Sequence, residues 1–396
     1  MSSTSTTAPA SRLVALDAVR GIAATCVVIA HITATNAAVA APGTSTSWPR
    51  WLTVLTPVHL LWDGPIAVTV FFVLSGFVLS LPFLRRAPWD PAAKVRWAAF
   101  YPKRLVRLYL PAWGALLVAF VIMLAVSRHP TSHGSTWLAS HTHHPTVHAL
   151  AKGSLLIFGA GSIDGPLWSL GLEVVYSMLL PVFVLICVVR AVPDWVKWLG
   201  FMLAVTLAGA AASRSASLFC AFGFGALLAS AYVRRPTLPS SFGPPAFITI
   251  TIASLVGLNA GPVVSLLHLP HHLSGGITRC ATILGATGVV FVVVFWHRAA
   301  SALSVAPLEW LGTRSFSLYL IHFPVVIALS NLIDPEHLAV LIVVELGASL
   351  AAAEIFCRLI ERPSHRLSQR VGAAVAGRMR RRLDPGPSAS SAEAGV

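Results

Sequence analysis

Three groups of ionisable residues stand in sequence that is otherwise apolar. Asp17, Arg20 and His31 share the first apolar run; Lys103, Arg104 and Arg107 open the third; Glu173 follows Trp168 and Ser169 at the start of the fourth. A charge within a membrane span costs several kcal/mol unless it is paired or hydrated, so each group is a functional candidate by default. Arg20 and His31 are eleven residues apart, close to three helical turns, which puts them on one face at depths differing by roughly 16 Å. Asp17, three residues before Arg20, can pair with it. The alternatives are an Arg20 that snorkels to the surface and a His31 that is a hydrogen-bonded packing residue. Arg104 and Arg107, three apart, can converge on one anion such as the phosphates of a cytosolic donor; topological anchoring by positive charge is the other reading, and suits Lys103 best. Glu173 is expected at a depth similar to that of His31, where a carboxylate can orient an imidazole that takes the proton from an incoming hydroxyl. A helix cap or a structural ion pair would also account for it.

Other residues carry weaker signals. Asp63-Gly64-Pro65 marks the start of the second span, and Ser75 lies in Phe71 to Phe77, where Gly76 and Ser75 suit close helix packing better than nucleophilic chemistry. Arg314 to Pro324 places Tyr319 and a second intramembrane histidine, His322, in the ninth span. Histidines cluster at His141, His143 and His144 and again at His271 and His272, but their spacing and loop setting do not suit a catalytic metal, and none is expected.

The elements that must position these groups follow from composition. The 396 residues are 56% hydrophobic and 11% charged, far from the roughly one-quarter charged residues of soluble domains. Apolar runs of about 20 residues, the length that crosses a bilayer, predict an all-α polytopic protein of about ten spans around a central cavity. They are 13–34, 64–84, 103–126, 170–190, 195–212, 216–233, 246–264, 279–297, 314–332 and 338–360, preceded by a disordered 1–12. A basic tail follows from 367, disordered beyond about 383. The net charge of +14 comes from basic residues between spans and in this tail, not interleaved with aromatics, so nucleic acid is not an expected partner. Arg85, Arg86, Lys94, Arg96, Arg190, Lys197, Arg234, Arg235, Arg298 and the tail arginines fall on one side, against Arg50, Arg128, Lys152 and Arg214 on the other. That asymmetry predicts both termini in the cytosol. The long His/Ser/Thr-rich loop 128–165 then lies outside, either covering an external substrate or merely solvated. The five cysteines form no CxxC pair, and they read as packing residues.

Six pieces in order resemble the acyltransferase-3 family of integral-membrane acyltransferases: Leu16 to Gly21 with His31, Phe71 to Phe77, Arg104 with Arg107, Leu167 to Leu170 with Glu173, Ser317 to Pro324, and Glu361-Arg362-Pro363. The resemblance spans 13–366. It implies transfer of an acyl group from acyl-CoA, acetyl-CoA in the first instance, to a hydroxyl of a carbohydrate, surface glycan or glycosylated metabolite, by a stand-alone member in the inner membrane without the fused hydrolase-like domain of many relatives. It further implies that His31 is the essential catalytic residue, that Arg20 supports it, and that Arg104 and Arg107 hold the coenzyme A phosphates. The expected site is therefore His31, Glu173 and Arg20 for catalysis, and Lys103, Arg104 and Arg107 for the donor. Asp17, Asp63, Ser75, Trp168, Ser169, Tyr319 and His322 would line the cavity. Direct transfer in a ternary complex is the first expectation and an acyl-histidine intermediate the second. A transporter or exporter is the rival class, disfavoured by the absence of an evident inverted repeat.

Overall fold

The computed structural model describes residues 8–40, 56–86, 91–126, 133–141, 145–157, 163–239, 242–334 and 336–383. Arg50, Arg128, His143, His144 and the segment after 383 lie outside them, as does the side chain of His272. Helices stand at all ten expected positions. They are α1 (Ala8–Thr35), α2 (Gly64–Leu84), α3 (Pro91–Ala125), α4 (Leu167–Val188), α5 (Asp194–Ala210), α6 (Arg214–Arg234), α7 (Pro244–Leu258), α8 (His271–Phe295), α9 (Ala306–Leu332) and α10 (Leu338–Phe356). Among the described residues there is no strand, and eight helices are long and apolar enough to cross a membrane. α5 and α7, at 17 and 15 residues, fall short of that length.

Helix extends beyond the expected spans at both ends. α1 begins at Ala8, inside the stretch predicted to be disordered. The basic tail forms a helix, α11 (Arg362–Leu383), joined to α10 by one π-helical turn over Cys357–Glu361. α11 packs along α3, where a Cβ on Gly372 would sit 3.2 Å from the Cβ of Lys103. This pairing is possible because α3 is longer than predicted. Its 35 residues make a rod of about 52 Å against roughly 30 Å of hydrocarbon, so its first turns project beyond the bundle and offer α11 a surface.

The core is organised by two close crossings. A Cβ at Gly76 of α2 would lie 2.1 Å from the Phe222 carbonyl oxygen of α6, and one at Gly225 would lie 2.1 Å from the Val73 carbonyl oxygen. At the second, Gly21 of α1 meets the backbone of Gly312 in α9, and Gly312 in turn meets the Asp17 carbonyl. In lipid, where burial of apolar surface drives little association, such backbone contact supplies the packing that holds helices together. The α1/α9 crossing also fixes Asp17 and Arg20 against the middle of the bundle. α3 and α4 then close a central cavity against α1, α2 and α9.

Candidate functional site

The central cavity has a free volume of about 250 Å³ and is lined by six charged side chains. Asp17 and Arg20 reach it from α1, Ser75 from α2, Arg104 and Arg107 from α3, Ser169 and Glu173 from α4, Tyr319 from α9 and Glu361 from the π turn. The positive and negative groups are interleaved. Arg20 Nη1 binds Asp17 Oδ1 at 3.1 Å. Arg104 is committed to Glu173 through Nη2 and donates from Nε to Ser177 Oγ at 3.2 Å; Ser75 Oγ donates to the same Glu173 carboxylate at 3.3 Å. Arg107 donates to His365 Nδ1 of α11 at 3.2 Å, so its partner is an imidazole and not a carboxylate. Among the described residues Arg107 is the one guanidinium of the three without a carboxylate partner.

Beyond the cavity the tyrosine and serine make a partition. Tyr319 and Ser169 share a hydrogen bond of 2.7 Å, and the tyrosine hydroxyl also donates to the Pro166 carbonyl at 3.2 Å. One turn further along α9 is His322, fully buried, whose Nε2 lies 3.1 Å from His31 Nδ1. The hydrogen-bond partners assign the tautomers of the neutral rings. His322 Nδ1 lies 2.9 Å from the Leu318 carbonyl and must carry the proton it donates there, so its Nε2 is an acceptor. His31 Nδ1, 3.0 Å from the Val27 carbonyl, is likewise N–H and serves both Val27 and His322. The His31 Nε2 is left with its lone pair, which is what a general base requires. Aromatic rings enclose the pair: Phe323 edge-on to His31 at 5.4 Å and Trp137 at 5.6 Å. Trp137 belongs to a short helix, Thr136–Ala139, capped by Ser135 and tied to the end of α1 by Ser135 N–H to the Thr35 carbonyl at 2.9 Å. Part of the long loop thus covers His31.

Several expected residues stand elsewhere. Glu173 is paired with Arg104 and Ser75 in the central cavity and does not orient His31; His322 and Val27 do. The matched depth assumed for Glu173 counted residues from a helix start without knowing which way the helix faced. Lys103 packs against α11 and does not line the cavity. Asp17, Ser75, Ser169 and Tyr319 do line it. Trp168 forms a wall instead, edge-on to Phe72 at 6.5 Å, with the Arg214 guanidinium 4.9 Å above its ring. Asp63 caps α2 by accepting from Ile66 N–H at 3.0 Å and faces a second cavity on the other side of that wall.

The sequence reading missed Glu361 and His365, which sat in a motif and a tail with no chemical role assigned to either. It also missed Asp164. Both oxygens of Asp164 are buried without a hydrogen-bond partner, and burial pushes its carboxyl well above its ordinary value of 3.8. Its neighbour Gly165 is pressed against Phe323, at 2.7 Å from a Cβ position, so Asp164 borders the aromatic enclosure of the histidine pair. Among the described residues no cluster of three metal-ligating side chains occurs.

Comparison with known proteins bears on this arrangement. The family model described as "Acyltransferase domain" matches residues 13–359. Two characterised proteins are similar in sequence. The peptidoglycan O-acetyltransferase OatA of Listeria monocytogenes is 25% identical over 333 residues, which take in 76% of this chain and 51% of that protein. The acyltransferase MdmB of Streptomyces mycarofaciens is 25% identical over 293 residues, 68% of this chain and 70% of that protein. The chain spans about half the length of the first relative. No solved structure matches it.

Proposed function

Because this chain belongs to the acyltransferase-3 family of membrane acyltransferases, we propose that it moves a short acyl group, acetyl in the first instance, from acyl-CoA to a hydroxyl of a carbohydrate, with His31 as general base. The observation that carries this reading is the histidine pair. Two neutral rings in series hold the His31 Nδ1 proton inward and leave Nε2 free, across the Ser169–Tyr319 bond from a cavity of three arginines. Peptidoglycan acetylation by one similar protein supports a sugar hydroxyl as acceptor.

The basic end of the bundle, where α2 ends in Arg85 and Arg86 and α11 packs on α3, is assigned to the cytosol of the cell membrane, with both chain ends there. Acyl-CoA enters from that side with its phosphates on Arg107 and Arg104, and the pantetheine arm runs toward Tyr319. Displacement of the Ser169–Tyr319 bond admits the thioester to His31. His31 Nε2 takes the hydroxyl proton as the acceptor oxygen attacks the thioester carbonyl; the C–S bond breaks, and the imidazolium returns the proton to the departing thiolate. Arg20, paired with Asp17 at the cavity wall, contributes positive charge for the phosphates. Direct transfer requires no covalent enzyme intermediate.

The test is thiol release from acetyl-CoA by purified protein in proteoliposomes, with and without a sugar acceptor. His31→Ala is expected to lower acceptor-dependent release by about 10²–10⁴-fold, the usual worth of a general base, at an unchanged unfolding midpoint. A folded His31→Ala protein with full transfer would remove the assignment. Substrate accumulation inside wild-type vesicles without thiol release would favour a transporter.

A further inference from the structure

The second cavity, of about 390 Å³, opens between the starts of α2 and α6 and the outer half of α8. It holds two guanidinium groups. Arg279 sits in the third turn of α8, within an apolar span, and its Nη1 donates to Ser217 Oγ at 2.9 Å. The Ser217 hydroxyl in turn donates to the Ser213 carbonyl at 3.0 Å. A guanidinium has five N–H donors, and among the described residues this is the one hydrogen bond Arg279 makes. Arg214 begins α6 and lies over the Trp168 ring at 4.9 Å. Among the described residues neither arginine forms a salt bridge. The cavity's one carboxylate, Asp63, is engaged with the backbone of α2 as its cap. Arg214 is exposed and Arg279 partly buried, and two cations against one carboxylate leave the lining of this cavity with a net positive charge. Thr278 and Thr282, one turn apart on α8, add hydroxyls to the same wall.

We propose that this cavity is an oxyanion-binding site, taking the phosphate or carboxylate of a ligand at the end of the bundle opposite the basic one. Planar guanidinium forks from two helices match the geometry of either group. The oxyanion belongs either to an acceptor that docks beside the Trp168 wall or to an anionic phospholipid head group. The site stands independently of acyl transfer, which thiol release reports separately.

The experiment uses the full chain purified in an uncharged detergent. Glucose 6-phosphate is expected to raise the unfolding midpoint by about 3 °C, and uncharged glucose to leave it unmoved. Arg279→Gln should abolish the rise, Arg279→Lys should restore part of it, and Arg107→Gln, in the central cavity, should retain it. If Arg279→Gln fails to fold, Arg214→Gln provides the same comparison. A head-group occupant would show instead as preferential retention of phosphatidylglycerol over phosphatidylcholine in native mass spectrometry, lost with Arg279→Gln. The proposal is overturned if neither probe distinguishes wild type from both arginine variants, or if the phosphate response disappears with Arg107→Gln and persists with Arg279→Gln.

Discussion

His31 owes its free nitrogen to hydrogen bonds that no count along one helix could reveal. Eleven-residue spacing placed His31 and Arg20 on one helix face, but the partner of the imidazole comes from α9, 291 residues away. His322→Ala is expected to leave Val27 as sole partner of the His31 Nδ1 proton and to lower kcat about tenfold with the donor KM unchanged, read from steady-state thiol release. Glu173→Gln separates the two readings of that carboxylate. If Glu173 holds Arg104 in place, the donor KM rises and the pH profile of kcat does not move; a shifted profile would return Glu173 to the base. Asp164 shows why burial escapes a sequence reading, since a carboxylate before Gly-Pro looks like an ordinary solvated turn. Its pKa is raised on folding, so the native state holds a proton that the unfolded chain releases near 3.8. Stability is therefore favoured below that pH and declines as pH rises toward the folded value. Asp164→Asn should flatten this decline and raise the unfolding midpoint at pH 7, measured by thermal scans between pH 4 and 8.

At the scale of elements, hydropathy located the helices and misjudged their ends. The third span was predicted to start at 103, with Lys103 and Arg104 at the cytosolic surface. In the structure Pro102 lies inside α3, which continues back to Pro91. A membrane filter detects the part of a helix that lipid contacts, and not the part that another helix covers. The same blindness hid α11, whose arginines read as a basic tail with no helix assigned to it. Because His365 of α11 is the partner of Arg107, truncation after Glu361 should raise the donor KM more than it lowers kcat. The glycine crossings were legible as small residues, and their role follows from distance: Gly76→Ala places a Cβ 2.1 Å from a carbonyl oxygen. Overpacking of this kind costs about 1–3 kcal/mol, visible as a lower unfolding midpoint in detergent.

Across the whole molecule, class and family were readable because a bilayer imposes long apolar runs and the motif pieces occur in order. The partition of the interior was not readable, since it depends on which helices meet. Orientation has a direct check. In a background lacking the five native cysteines, Lys152→Cys and Arg380→Cys should react with an impermeant maleimide from opposite sides, the second only in inverted vesicles. The hydrogen bond between Ser169 and Tyr319 carries a further consequence. A thioester is as vulnerable to water as to a sugar, so an enzyme working between an aqueous donor pool and a distant acceptor wastes its donor whenever both ends stand open together. If the proposed transfer holds, the Ser169–Tyr319 bond between the central cavity and His31 confines futile hydrolysis to the moments when it is displaced. Tyr319→Phe should therefore leave a leaky airlock, in which thiol release without acceptor rises relative to ester formed.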